Sequence, residues 1–217
     1  MRDRARAADS WYRRHRYGVL FYFLLVTMVV DPILAALGWP EAILEWLLAA
    51  NLLAAVAPLE SGVRRRVAIS ATAAVCLVRL GTDVIHLPIP TMVPLALWVL
   101  AGLAAAGAAL QFALRASAVT GEHLYAALSA YMLAGLFFGL SYWGLEQVVP
   151  GTFPVSGEFT RSSAQYFSFV TLATLGYGDI APAGEIGRGL AVIEGVGGQL
   201  FLAVMVARLV SVYAARK

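Results

Sequence analysis

The 217 residues are 60% hydrophobic and 13% charged, and the mean hydropathy is +0.76. A soluble domain carries about a quarter charged residues, so a water-exposed globular fold is excluded and the bilayer is the expected solvent. A net charge of +3 gives no argument for nucleic acid as a partner; the basic residues cluster beside apolar runs, where they set membrane orientation.

Hydropathy along the chain predicts six spans, at about 17–37, 42–58, 67–87, 91–114, 123–145 and 189–213. The first follows a basic N-terminus, residues 1–16, and is about the length of a bilayer crossing. No A-x-A cleavage site closes it, so it reads as a retained span and not a signal peptide. The second is short, contains Asn51 and ends at Pro58. The third holds Arg79 and Asp83, four apart on one helical face and able to pair in the membrane. Asp31 in the first span and Glu60 after the second are alternative partners. Cys76, the single cysteine, lies in the same apolar run and has no disulfide or metal-ligand partner.

The fourth span is defined by what it lacks. Voltage sensing moves charges across the field, each contributing about 2.3 kcal/mol per 100 mV. No Lys or Arg occurs between Thr91 and Leu114, and Arg115 stands at the end. Steep voltage gating is therefore not expected. Gly102, Ala106 and Gly107 suit close helix approach instead.

Basic charge fixes the topology. Six arginines precede the first span, Arg64, Arg65 and Arg66 lie between the second and third, Arg115 follows the fourth, and Arg216 with Lys217 ends the chain. All fall on one side if both termini are cytoplasmic, and the opposite loops at 38–41 and 88–90 carry no Lys or Arg. Lys217 is the only lysine, an arginine bias that suits a GC-rich bacterial genome.

The connection 146–188 departs from this pattern. It is polar at 150–163, yet contains the apolar run Ala164–Leu175, too short to cross. A half-helix from about Arg161 to Ala173, capped by Thr160, followed by an extended return, fits both features. Irregular backbone is tolerated at membrane depth only inside protein or along a water-filled path. "Thr174-Leu175-Gly176-Tyr177-Gly178" falls there. Glycines alternating with ordinary residues can turn successive carbonyls toward one axis, and carbonyl rings from four chains replace a cation's hydration shell.

On these residues the chain resembles the tetrameric potassium-channel superfamily. "YFSFVTLATLGYGDIAP" is similar to its pore helix and selectivity filter, and "GRGLAVIEGVGGQLFLAVMVARLV" to its inner helix. The resemblance covers about 123–217, while residues 1–116 match only in span count. It implies an all-α membrane protein with six transmembrane helices, a re-entrant pore helix and filter loop between spans five and six, and assembly as a homotetramer. Residues 17–116 would form a four-helix peripheral domain that resembles a voltage-sensor domain without its arginines, and 117–217 the pore domain.

By position, the resemblance makes Thr174, Leu175, Gly176, Tyr177 and Gly178 the potassium-binding filter, through backbone carbonyls and the Thr174 hydroxyl. Tyr177 is expected to pack against Tyr166 and Phe167. Asp179 would sit at the outer mouth and hydrogen-bond behind the filter to Tyr166. Leu175 stands for the commoner valine, Ala173 for a frequent threonine, and Val170 where some members have a carboxylate. Gly198 would be the inner-helix hinge, with close packing as the alternative. Gln199, Leu202 and Val206 recur on one helical face, and the resemblance makes that face the cavity lining. Val210 and Ala214 would continue it toward a gate. Glu194 is ionisable within a span, hence a functional or hydrogen-bonding candidate.

The expected function is passive, potassium-selective transport in the cell membrane, with no cofactor beyond the permeant ion, no small-molecule substrate and membrane lipid as surroundings. A weakly selective cation channel and a non-conducting regulatory subunit are the alternatives. A membrane-embedded hydrolase is disfavoured, because His15, His86 and His123 fall at span ends. The sequence ends shortly after the last apolar run, so no appended ligand-binding domain is expected.

Overall fold

The computed structural model of the protein describes residues 2–39, 47, 50–55, 70, 73, 92–115 and 120–214. The described elements are helical: α1 (Arg2–Ala36), α2 (Met92–Leu114), α3 (Gly121–Val148), α4 (Arg161–Leu172) and α5 (Glu185–Ala214). Four contain stretches long and apolar enough to cross a membrane: His15–Leu34, Leu95–Leu114, Gly121–Val148 and Glu185–Arg208. These match expected spans one, four, five and six: α1 begins well before its predicted start, α2 keeps to its predicted bounds within a residue, and α3 and α5 run past theirs by one to four residues. Residues 47 and 50–55 of the second span are helical. The third span, with Arg79, Asp83, Cys76 and His86, lies outside the described residues, as do Glu60, Arg64–Arg66, Arg216 and Lys217.

The chain divides into two compact units, Met1–Cys76 with Ala104–Met132, and Leu77–Leu103 with Leu133–Lys217. In the first, α1 is broken at His15, whose backbone leaves the helical region (φ −122, ψ 21). A helix that restarts there exposes fresh N–H groups without partners of their own. Glu122, in the first turn of α3, supplies one: its carboxylate accepts from Tyr17 N at 2.9 Å and Gly18 N at 3.4 Å. Tyr17, Phe112 and His123 stack in sequence, with centroids 4.6 and 4.8 Å apart, and the Arg16 guanidinium lies 5.1 Å from the Phe112 centroid. Asn51, fully buried, donates to Thr27 Oγ1 at 3.0 Å and to the Leu47 carbonyl at 2.9 Å. A polar side chain in an apolar span thus joins two helices.

In the second unit, missing side chains let helices approach. A Cβ on Gly102 would strike the Phe137 ring, and one on Gly144 would strike Leu95, so α2 and α3 meet backbone to side chain. Further along α2, in the first unit, Ala106 is buried as expected, whereas Gly107 is exposed and an added Cβ there would meet no described residue within 4 Å. One turn apart on α3, Gly135 and Gly139 admit α4: added Cβ atoms would come to 2.6 Å from Phe169 and 3.0 Å from the Gln165 Cα. The core beside α4 is aromatic. Tyr142, Phe153, Phe159 and Phe167 are buried together, with Phe153 stacked on Phe159 at 4.5 Å and Tyr142 edge-on to Phe167 at 4.9 Å.

Candidate functional site

The site is built from the short helix α4, the segment after it, and α5. Thr160 caps α4, its hydroxyl accepting from Ser163 N at 3.2 Å, and the helix ends at Leu172, one residue before the expected Ala173, which is its C-cap. Upstream, Glu146 at the end of α3 accepts from Gly151 N at 2.7 Å and Phe153 N at 2.8 Å, folding the polar connection back over the aromatic cluster. The Thr152 carbonyl then accepts from Ala183 N at 2.8 Å, tying the returning segment to the same connection.

Residues 173–179 leave helical geometry in a regular way. Thr174, Gly176 and Gly178 have positive φ, of 56, 57 and 80, while Leu175 and Tyr177 between them do not. Glycine adopts that region freely, but threonine does so at a cost of order 1–3 kcal/mol, and such outliers persist where surrounding bonds over-determine them. Here the bonds come from α4: the Val170 carbonyl accepts from Leu175 N at 2.9 Å and Gly176 N at 3.4 Å, and the Thr171 carbonyl from Thr174 N at 2.9 Å. Alternating positive-φ residues with ordinary ones can turn successive carbonyls toward one side, so this backbone can present a row of oxygens there.

Two side chains hold the ends of the segment. Tyr166 donates its hydroxyl to Asp179 Oδ2 at 2.8 Å, the bond expected from the sequence. That hydrogen bond, with smaller contributions from desolvation and the carboxylate's charge, holds the Tyr166 phenol above the usual tyrosine value. At the other end, Gln199 Nε2 donates to Thr174 Oγ1 at 3.0 Å. Sequence placed Gln199 on a lining face; the contact with Thr174 is new.

Phe167 departs from its expected position. It was expected to brace Tyr177, but it is buried against Tyr142 and Phe153, while the Tyr177 ring is 67% exposed in the single chain. The reason is the helical turn: Phe167 shares the buried face of α4 with Ala164, Ser168 and Val170, whereas Tyr166 lies on the exposed one.

The face of α5 toward α4 runs in step with it. Glu194 bonds to Ser168, Gly195 lies beside Thr171, and Gly198 beside Leu172; a Cβ on Gly198 would strike the Leu172 carbonyl. Gly198 is therefore required for close packing, and α5 is one unbroken helix through it. An added Cβ on Gly197, next to it, would meet no described residue within 4 Å. Glu194 is 1% exposed, with Tyr142 as its second partner at 2.7 Å. Tyr142, Ser168 and Gln165, which complete this contact, were not singled out from sequence; the paired glycines 135 and 139 on α3 were the available signal. On the remaining faces of α5, Leu202, Val206 and Val210 are exposed. Ala214 is the last residue of the helix. Asp31 lies on α1, and Arg79, for which it was an alternative partner to Asp83, is outside the described residues.

Residues 126–215 match the model of a family described as "Ion channel". Over 74 residues the chain is 36% identical to the inward rectifier potassium channel Kirbac3.1 of Paramagnetospirillum magnetotacticum. That match covers 34% of this chain and 24% of the relative, so it spans about a quarter of the relative's length. No solved structure matches.

Proposed function

We propose that this chain, a member of the potassium-channel superfamily, forms a potassium-selective pore by assembling as four copies around the segment Thr174–Gly178. The observation that carries the reading is the alternating backbone at Thr174, Gly176 and Gly178, anchored to a capped half-helix. Four such segments facing one axis would offer rings of carbonyl oxygens from Thr174 to Tyr177, with the Thr174 hydroxyls innermost. A potassium ion entering would exchange its hydration shell for these oxygens. Several adjacent sites keep binding weak enough at each for the ion to leave.

The other parts support that role. The C-terminal end of α4 carries a partial negative charge that favours a cation. Asp179 adds a carboxylate at the proposed outer mouth, held by Tyr166. Exposed apolar side chains cover much of α5, among them Val192, Val196, Leu200 and Val204. An apolar surface of this extent calls for cover, which neighbouring copies and lipid would give. Leu202 and Val206 would line the cavity and Val210 and Ala214 a gate below it. The protein would sit in the cell membrane with both termini cytoplasmic, and α2, free of Lys and Arg, would not act as a steep voltage sensor. Purified protein in liposomes tests the reading. An outward potassium gradient should drive uptake of a tracer cation, and tight vesicles with no such uptake would refute it.

A further inference from the structure

Behind the segment Thr174–Gly178, three helices converge on one buried carboxyl group, and its hydrogen-bond geometry fixes where a proton must be. Glu194 on α5 is 1% exposed. Its Oε2 accepts from the Tyr142 hydroxyl of α3 at 2.7 Å, and its Oε1 lies within hydrogen-bond distance of Ser168 Oγ on α4. Ser168 Oγ is also 2.7 Å from the Gly135 carbonyl of α3. That carbonyl additionally receives Gln165 Nε2 at 3.2 Å.

The protons can be counted. A serine hydroxyl has one hydrogen to donate. A carbonyl oxygen has none, and neither does an ionised carboxylate. Were Glu194 ionised, Ser168 would face two acceptors with a single proton, and one of the two short oxygen–oxygen contacts would be lone pair against lone pair. Tyr142 cannot supply the missing proton, since its own is engaged with Oε2. Both contacts are satisfied if Glu194 carries the proton on Oε1 and donates it to Ser168, which donates in turn to Gly135. Among the described residues Tyr142 and Ser168 are the hydrogen-bond partners of Glu194. The buried residues of α4 (Ala164, Phe167, Ser168, Val170 and Leu172) include no ionisable group. No cation is thus shown facing this carboxyl from α3 or α4, and an isolated charge in such a place is costly.

We propose that Glu194 is a positioning residue that works as a neutral acid: its proton links α5 to α4 and, through Ser168, to α3, holding the half-helix from which Val170 and Thr171 anchor the proposed filter. The chain of bonds runs from Tyr142 to Glu194 to Ser168 to Gly135, one donor per acceptor. This rests on the channel reading for its consequence, not for the proton itself.

The test has two arms. Infrared difference spectra of the purified, membrane-reconstituted protein should show the carbonyl stretch of a protonated carboxylic acid, shifted in heavy water and absent from Glu194→Gln. Ser168→Ala removes the acceptor and should shift the same band to higher frequency, so the assignment stands on either variant. No such band in the wild type, or one unchanged by both variants, overturns the proposal. In the second arm Glu194→Gln, whose amide can accept from Tyr142 and donate to Ser168, should keep potassium flux within about twofold of wild type, whereas Glu194→Leu should lower it at least about tenfold, as expected for loss of a buried hydrogen-bonded link. Wild-type flux in Glu194→Leu overturns the positioning role. Absence of flux in the wild type would refute the channel reading and leave the infrared arm to decide on the proton.

Discussion

The two sides of the half-helix α4 meet opposite surroundings. Behind it, every polar side chain that reaches the contact is engaged within the chain: Ser168 with Glu194 and Gly135, Gln165 with Gly135, Tyr142 with Glu194. In front of it, residues 173–179 are all exposed, and Leu175 and Tyr177 leave more than half of their surface uncovered. The back is a finished interior that one chain can build alone. The front has a specified backbone, held at its two ends by Gln199 and Tyr166 and otherwise left uncovered within the chain. Local bonds from Val170 and Thr171 set the shape of the front within the single chain.

The sharpest way to break that contrast is at Gly176. Its φ of 57 is paid for by having no side chain. In the proposed channel Gly176→Ala should abolish selective potassium flux in liposomes, while leaving the thermal unfolding of the detergent-solubilised protein close to wild type. Unaltered selective flux would show that the conducting segment lies elsewhere.

Two neighbouring glycines separate front from back more finely. Gly198→Ala drives a methyl group into the Leu172 carbonyl and should cost about 1–3 kcal/mol, the usual range for overpacking. Gly197→Ala meets no described residue within 4 Å and should gain up to about 1 kcal/mol of helix propensity. Thermal midpoints of the two variants in detergent should therefore move in opposite directions. Equal shifts would mean that α5 does not pack on α4 in the register described.

These pairs also mark how far the sequence could be read. The capped half-helix, its end to within a residue, and the positive φ at Gly176 and Gly178 are local consequences of Thr160, the short apolar run and glycine itself, so they were legible. The bond from Tyr166 to Asp179 was within reach too, because the two residues flank one short segment. Three features were not. Glu194 finds Tyr142 across 52 residues, and nothing in either helix names the other. Phe167 faces the core, because the buried side of α4 is set by what Tyr142 and Phe153 leave open. Gln199 reaches Thr174 only because Gly198 brings α5 close.

Smaller effects belong to the front. Gln199→Leu removes the amide from the Thr174 hydroxyl, a neutral hydrogen bond worth about 0.5–1.5 kcal/mol. The half-saturating potassium concentration for conduction should change by about twofold to tenfold, and an unchanged value would mean that the Thr174 hydroxyl is not part of the ion path. Smallest of all should be the effect of voltage. With no Lys or Arg in α2, the limiting slope of conductance against voltage should report less than about one elementary charge per assembled channel, against the several that a charged sensor carries. A slope of several charges would place a sensor in spans not credited with one.

The central claim, that Thr174–Gly178 selects potassium by its backbone, is tested most directly by the reversal potential of reconstituted protein with potassium on one side of the bilayer and sodium on the other. The account predicts a reversal potential far toward the potassium equilibrium value in the wild type. A reversal potential near zero, with robust current carried by both ions, would contradict it.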